Sequence, residues 1–84
     1  MDQRPYTVSE LTALGVAYMN ATGTSRTRLS ILSAGHNRLF ERLLEGFDCR
    51  TQAAERASDW FDQNWPKEVP WPKDVAKRRA RIAA

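Results

Sequence analysis

The fold of this 84-residue chain is decided by residues 24–45, which read TSRTRLSILSAGHNRLFERLLE. The first half of this stretch predicts a short helix. Thr24 or Ser25 is expected as its N-cap, because a hydroxyl at that position accepts a hydrogen bond from an unpaired backbone amide. Leu29 and Leu32 are expected to be the side chains that this helix carries into the core.

The second half of the stretch predicts a tight turn near residues 34–35 and a second helix over residues 36–45. The apolar residues of this helix fall on one broad stripe, as an amphipathic helix requires. They are Leu39, Phe40, Leu43 and Leu44. Gly46 comes next and is the usual kind of residue to end a helix.

The opposite face of the second helix is polar, and its residues are Asn37, Arg38, Glu41, Arg42 and Glu45. Arginine can form two hydrogen bonds to guanine, and asparagine can form two to adenine. A short helix with this face therefore suits the major groove of DNA. The competing interpretation is an ordinary solvated helix start, in which Asn37 is only an N-cap.

The residues before this unit predict one more helix. Residues 1–7 are expected to form a loose arm, because Pro5 breaks a helix there. Ser9 is the expected N-cap, and Gly23 is expected to end the helix. Gly15 lies inside it and would allow a neighbouring helix to approach closely.

The residues after the unit predict a fourth helix that Thr51 caps and Pro66 ends. Its apolar face would carry small residues first and aromatic rings last. An extended segment rich in Pro and Trp follows it. We expect Val69 and Trp71 to fold back over the core, because two exposed indole rings would be costly. Together these elements predict an all-α fold: a small bundle of four to five short helices containing a helix-turn-helix, with a Pro/Trp-rich extended segment and a basic C-terminal tail.

The pattern resembles the λ-repressor-like (Xre/Cro-type) helix-turn-helix domains over roughly residues 11–65. The matching features are the inward Leu29, the small residues Ala34 and Gly35, the apolar Phe40, Leu43 and Leu44, and the closing Gly46. The chain departs from the family pattern at Ser30, and at Ile31 and Leu32, where polar residues are more common. In that family the third helix lies in the major groove.

The resemblance implies a set of DNA-binding residues in this sequence. Asn37 and Arg38 would be the leading base readers, and Arg42 would contact a base or a phosphate. Ser25 and Arg26 would hold a phosphate at the start of the second helix. His36 and Glu41 lie on the same proposed surface. Glu41 could accept a hydrogen bond from a cytosine amine or pair with a neighbouring arginine.

The charge is concentrated at the C-terminal end of the chain. The formal net charge is +3, because residues 73–84 sum to +4 and residues 1–72 sum to −1. The basic residues proposed to bind DNA there are Lys77, Arg78, Arg79 and Arg81. We divide the chain into a helix-turn-helix domain with a Pro/Trp-rich cap, residues 1–72, and a basic tail, residues 73–84. The tail predicts a salt-sensitive DNA-binding arm, the alternative being a solvated end.

Several function classes fit the composition poorly. A single cysteine, Cys49, excludes an internal disulfide, and one histidine cannot build a metal site with it. We expect no cofactor, no small-molecule substrate and no enzymatic activity. The N-terminus shows no signal peptide and no run is long enough to span a bilayer, so a cytoplasmic protein is expected.

The function that follows from these patterns is sequence-specific binding of double-stranded DNA by a small transcriptional regulator of bacterial or phage type. A homodimer, if one forms, would use the Trp-rich segment or the tail. The alternative is a small helical interaction or inhibitor module that uses its Trp-rich face without binding DNA. RNA binding through the basic tail is a third hypothesis.

Overall fold

Four α-helices make up the secondary structure that the computed structural model describes, which covers residues 4–35 and 37–75. They are α1 (Val8–Thr22), α2 (Arg26–Ala34), α3 (Leu39–Leu44) and α4 (Thr51–Asn64). These described residues contain no strand, so the predicted all-α class is confirmed. Helix α1 packs against the other three helices, and α2 packs against both α3 and α4.

Helix α1 begins two residues earlier than the sequence predicts. Its N-cap is Thr7 rather than Ser9. The Thr7 hydroxyl accepts a hydrogen bond from the Glu10 backbone N–H, and the Glu10 carboxylate accepts one from the Thr7 N–H. This reciprocal capping box provides acceptors for the backbone N–H groups of Thr7 and Glu10, and Ser9 could not reach both of them. Gly23 ends the helix in the left-handed conformation, as predicted.

The N-terminal segment is docked, which corrects the prediction of a loose arm as far as Tyr6 is concerned. Tyr6 is buried against the core. Its backbone N–H donates to Ser58 Oγ at 2.9 Å, and its hydroxyl donates to Asp62 Oδ1 at 2.7 Å. Two hydrogen bonds to α4 therefore fix the chain just before α1.

Helix α2 has the predicted N-cap, Ser25, but its buried face is not the predicted one. The buried side chains are Leu29, Ser30, Ser33 and Ala34. Leu32 was expected inside and is 43% exposed, next to an even more exposed Ile31. The two serines can occupy the core because each hydroxyl donates to the carbonyl oxygen four residues earlier.

Helix α3 is shorter than the predicted helix over residues 36–45. It spans six residues, Leu39–Leu44, and Asn37 and Arg38 belong to the turn before it. No side chain caps α3 locally. Instead, the Phe40 backbone N–H donates to Ser30 Oγ at 2.9 Å, so α2 provides the missing acceptor. Leu44, also expected inside, is 38% exposed.

Phe40 is the centre of the core and reaches α1 at Gly15. A Cβ added to Gly15 would lie 2.5 Å from Phe40 Cε1, closer than real Cβ atoms come to a neighbour. The predicted close approach of a neighbouring helix at Gly15 is thus confirmed. The Phe40 ring also makes an edge contact with Phe61 of α4.

Helix α4 starts at Thr51 with Arg50 as its N-cap, one residue before the predicted cap. The helix ends at Asn64, and Trp65 is extended before Pro66, as the sequence predicts. The apolar face buries Ala54, Ala57 and Phe61. The rings of Trp60 and Trp65 pack against Tyr18 of α1.

The Pro/Trp-rich segment folds back over the core, as predicted. Trp71 packs on Trp65 and on Tyr6, with ring centroids 4.9 and 6.0 Å away. The Trp65 indole N–H donates to the Val69 carbonyl oxygen, and the Trp71 indole N–H donates to that of Val75. Val75 is buried, so the packed structure reaches at least this residue.

Within residues 4–35 and 37–75, no helix is both long and apolar enough to cross a membrane.

Candidate nucleic-acid interface

Helix α2 starts at the surface with a cationic first turn. The Ser25 hydroxyl accepts a hydrogen bond from the Arg28 backbone N–H at 3.1 Å. The side chains of Arg26 and Arg28 are exposed, and no acidic residue lies in this turn. The positive end of the helix and both guanidinium groups therefore face solvent together, which is an arrangement that attracts an anion.

The turn between α2 and α3 exposes the two leading candidates for base reading. Asn37 and Arg38 are both exposed. Arg38 Nε lies 3.7 Å from Glu41 Oε1, and the two side chains are 67% and 42% exposed. An ion pair this open to water is weak. Glu41 therefore does not prevent Arg38 from binding a stronger acceptor.

Arg42 lies near the end of α3, where the backbone turn helps to hold its side chain. Gly46 takes the left-handed conformation, and the Phe47 backbone N–H donates to the Arg42 carbonyl oxygen at 2.9 Å. This closing turn brings the Phe47 ring to 5.6 Å from Arg42 Cζ. A cation–π contact of this kind contributes about 0.5–1 kcal/mol at an exposed site. Arg42 remains exposed.

The inner side of α3 is fixed in the core while its outer side is open. Leu39, Phe40 and Leu43 are buried. Their burial and the hydrogen bond from Phe40 to Ser30 set the orientation of the helix. Arg38 and Arg42 then project away from the core from either end of α3.

The structure thus assigns the predicted site residues to two neighbouring elements. Asn37, Arg38, Glu41 and Arg42 lie on α3 and the turn before it, and Ser25 and Arg26 lie at the start of α2. These two helices pack against each other. The other predicted DNA-binding residues lie outside the described residues. They are His36, Lys77, Arg78, Arg79 and Arg81.

Two further arginines near α3 were missed by the sequence analysis. Arg50 is the N-cap of α4, and Arg56 lies on α4 facing the end of α2. Arg56 Nη1 lies 3.4 Å from the Ala34 carbonyl oxygen. The sequence does carry a signal for Arg50: it directly precedes a predicted helix whose first turn has no carboxylate. Such helix starts favour anions.

Cys49 is partly buried beside these arginines. Burial raises the pKa of its thiol above the ordinary value, and the neighbouring Asp48 carboxylate raises it further. The thiol is therefore a poor nucleophile at neutral pH. Within the part of the chain that the structure describes, no three His, Cys, Asp or Glu side chains are grouped so that they could hold a metal ion.

Comparison with protein-family models, with curated proteins and with solved structures gives no match for this chain. The resemblance to λ-repressor-like domains accordingly rests on the residues and the geometry described above, and it stays a prediction.

Proposed function

We propose that this protein binds double-stranded DNA with the exposed side of α3 and the turn before it, as a small transcriptional regulator. Asn37 and Arg38 contact base edges in the major groove, and Arg42 contacts a base or a backbone phosphate. A regulator of this kind, bacterial or from a phage, acts in the cytoplasm where its DNA lies.

The observation that carries this proposal is the contrast between the two sides of α3. One side is locked by buried side chains and by the hydrogen bond between the Phe40 amide and Ser30 Oγ. The other side carries Arg38 and Arg42, both exposed, and the ion pair between Arg38 and Glu41 is open to water. A helix that is held rigidly on one side and exposes cationic side chains on the other is what direct reading of bases requires, because specificity depends on fixed donor positions.

The dimensions of α3 also support the proposal. With its side chains an α-helix is about 10–12 Å across, and the major groove of B-DNA, roughly 12 Å wide, admits a helix of that diameter. Asn37 and Arg38 lie at the leading end of α3, where recognition helices of helix-turn-helix domains contact bases.

The start of α2 supplies contacts to the DNA backbone in this proposal. Arg26 and Arg28 are exposed in a first turn that contains no carboxylate. Contacts of this type set position and contribute salt-dependent affinity without reading sequence.

The alternative of a protein-interaction module that uses its Trp-rich face has less support. The indole N–H of Trp65 donates to the Val69 carbonyl oxygen, and that of Trp71 donates to the Val75 carbonyl oxygen. Their rings pack on each other and on Tyr18 and Tyr6. These tryptophans are therefore used in holding the fold together.

The test is selection of bound sequences from a pool of random duplexes by the full-length protein, followed by fluorescence anisotropy on the selected and on an unselected duplex at two salt concentrations. The proposal predicts an enriched sequence and affinity that falls steeply as salt rises. Absence of binding to both duplexes at low salt would overturn it.

A further inference from the structure

A groove of about 420 Å³ lies where the end of α2, helix α3 and the start of α4 meet. Ala34 and Leu39 are buried and form its floor, with Ala53 and Cys49 half-buried on its wall. Small-molecule sites in proteins typically have volumes of about 300–1,000 Å³ and apolar linings with a few charged groups. The groove has the size and floor of such a site.

Three exposed guanidinium groups line the rim of this groove, and they belong to Arg42, Arg50 and Arg56. The rim carries one carboxylate, that of Asp48. Within residues 4–35 and 37–75, no carboxylate oxygen lies within 4.0 Å of any of the three guanidinium groups. The arginines thus converge on an apolar floor without a partner of opposite charge close enough to neutralise them.

The positions of these arginines are set by the fold. Arg56 donates to the carbonyl oxygen of Ala34 and reaches the backbone at Gly35. Arg42 is held over the Phe47 ring. Arg50 directly precedes α4, whose first turn has neither a side-chain cap nor an acidic residue, so the helix end adds to the positive field.

We propose that this groove binds a small organic phosphate monoester. The planar guanidinium group pairs with phosphate oxygens through two parallel hydrogen bonds, and a doubly charged monoester gains most from three such groups. The volume and the floor of Ala34 and Leu39 accommodate the apolar body to which the phosphate is attached. Asp48 and Gln52 are placed to contact polar atoms on that body.

The same phosphate chemistry could be supplied by the backbone of bound DNA. A backbone phosphate is a singly charged diester on the outside of a duplex, and it would leave the apolar floor unfilled. The proposed ligand of the groove is therefore the free monoester, whether or not α3 binds DNA.

The experiment is isothermal titration of the full-length protein with phenyl phosphate, with inorganic phosphate and phenol as partial ligands. We expect phenyl phosphate to bind more tightly than either partial ligand. Arg50→Gln and Arg56→Gln should each weaken it about tenfold, the effect of one charge-assisted hydrogen bond. Lys67→Gln removes an exposed cation that neither lines the groove nor belongs to the proposed DNA-binding surface, and it should change the affinity less than about twofold.

Circular dichroism establishes that each variant is folded. A second readout is needed for Arg56→Gln, because Arg56 contacts the end of α2 and its loss could change the structure there. Alkylation of Cys49 should slow when phenyl phosphate is present, because the thiol lines the same groove. The proposal is overturned if Lys67→Gln weakens binding as much as Arg50→Gln. It is also overturned if phenyl phosphate binds no better than inorganic phosphate.

A short duplex titrated in parallel separates the two sources of phosphate. If Arg50→Gln and Arg56→Gln weaken duplex binding but leave the phenyl phosphate affinity unchanged, the groove belongs to a DNA-backbone interface and the monoester proposal fails.

Discussion

The Ser30 hydroxyl joins two helices through the backbone of Phe40. It donates to the Arg26 carbonyl oxygen at 2.8 Å within α2 and accepts from the Phe40 N–H at 2.9 Å at the start of α3. Both residues are fully buried. One hydroxyl therefore fixes the orientation of α3, whose free side is the proposed DNA-binding surface.

Replacing Ser30 with Ala should destabilise the protein more than the same change at Ser33. Ser30→Ala leaves the buried Phe40 N–H without an acceptor, which costs about 1–3 kcal/mol. Ser33 is also buried on α2, and its hydroxyl donates to the Leu29 carbonyl oxygen of the same helix, so Ser33→Ala should cost less than about 1 kcal/mol. Urea unfolding followed by circular dichroism measures both. Equal losses in the free energy of unfolding would show that the hydrogen bond from the Phe40 N–H to Ser30 adds no stability.

Replacing Gly15 with Ala should destabilise the core although alanine favours helices. The new methyl group would overlap the Phe40 ring. Overpacking of this kind costs about 1–3 kcal/mol, and the better helix propensity returns about 1 kcal/mol, for a net loss of up to about 2 kcal/mol.

The close contact between Gly15 and Phe40 predicts that substitutions at these two positions are energetically coupled. Phe40→Leu removes the ring edge that the methyl group meets, so the double variant should be more stable than the sum of the single losses predicts. Thermal unfolding of the four proteins in this cycle gives the coupling energy. Strict additivity would contradict the close packing of α1 on α3.

Alkylation of Cys49 by iodoacetamide should depend on pH in a way set by its surroundings. Burial and Asp48 both disfavour the thiolate, so the pKa is raised and the folded protein should react more slowly at pH 8 than the urea-unfolded chain. Asp48→Asn should lower the midpoint of the pH–rate profile only in part, because burial is the larger cause. A folded midpoint below the unfolded one would contradict this account.

The end of the chain should contribute to DNA affinity without contributing to the fold. A version ending at Val75 keeps the buried Val75 side chain and the Val75 carbonyl oxygen that accepts the Trp71 indole N–H, and it should melt like the full-length protein. The slope of log affinity against log salt concentration should become less steep by about 0.9 for each tail cation that contacts a phosphate.

A version ending at Pro72 is the matched control for this truncation. It lacks Val75 as well and should lose about 1.5–3 kcal/mol of stability, the usual contribution of a fully buried valine. An unchanged salt slope in the version ending at Val75 would remove the tail from the DNA-binding surface.

The sequence predicts most of the architecture because the caps and breaks are local. Ser25, Gly23 and Pro66 each act through their own backbone geometry, and the structure confirms all three. The four helices of residues 4–35 and 37–75 and the all-α class follow from the same local patterns.

The predictions from the sequence are wrong where a residue distant along the chain determines the local structure. The start of α3 could not be located from residues 36–38, because the acceptor for its first turn is Ser30, ten residues before Phe40. Tyr6 appeared to lie in a loose arm because its partners, Ser58 and Asp62, are on α4.

The prediction of the buried side of α2 from hydrophobicity is also wrong. The sequence placed Leu32 inside, whereas Ser30 and Ser33 take the core positions and satisfy their hydroxyls within the helix. Arg50 and Arg56 were overlooked because the groove they line forms only when α2, α3 and α4 meet.

The most direct test of the central claim is fluorescence anisotropy of the double variant Asn37→Ala/Arg38→Ala on the selected duplex and on an unselected one. Lys67→Ala, which removes an exposed cation next to the Pro/Trp-rich segment, is the control. We predict that the double variant binds both duplexes with nearly equal affinity while remaining folded, and that Lys67→Ala keeps the wild-type preference. If the double variant keeps the wild-type preference for the selected duplex, α3 and its preceding turn do not read the sequence and the account is wrong.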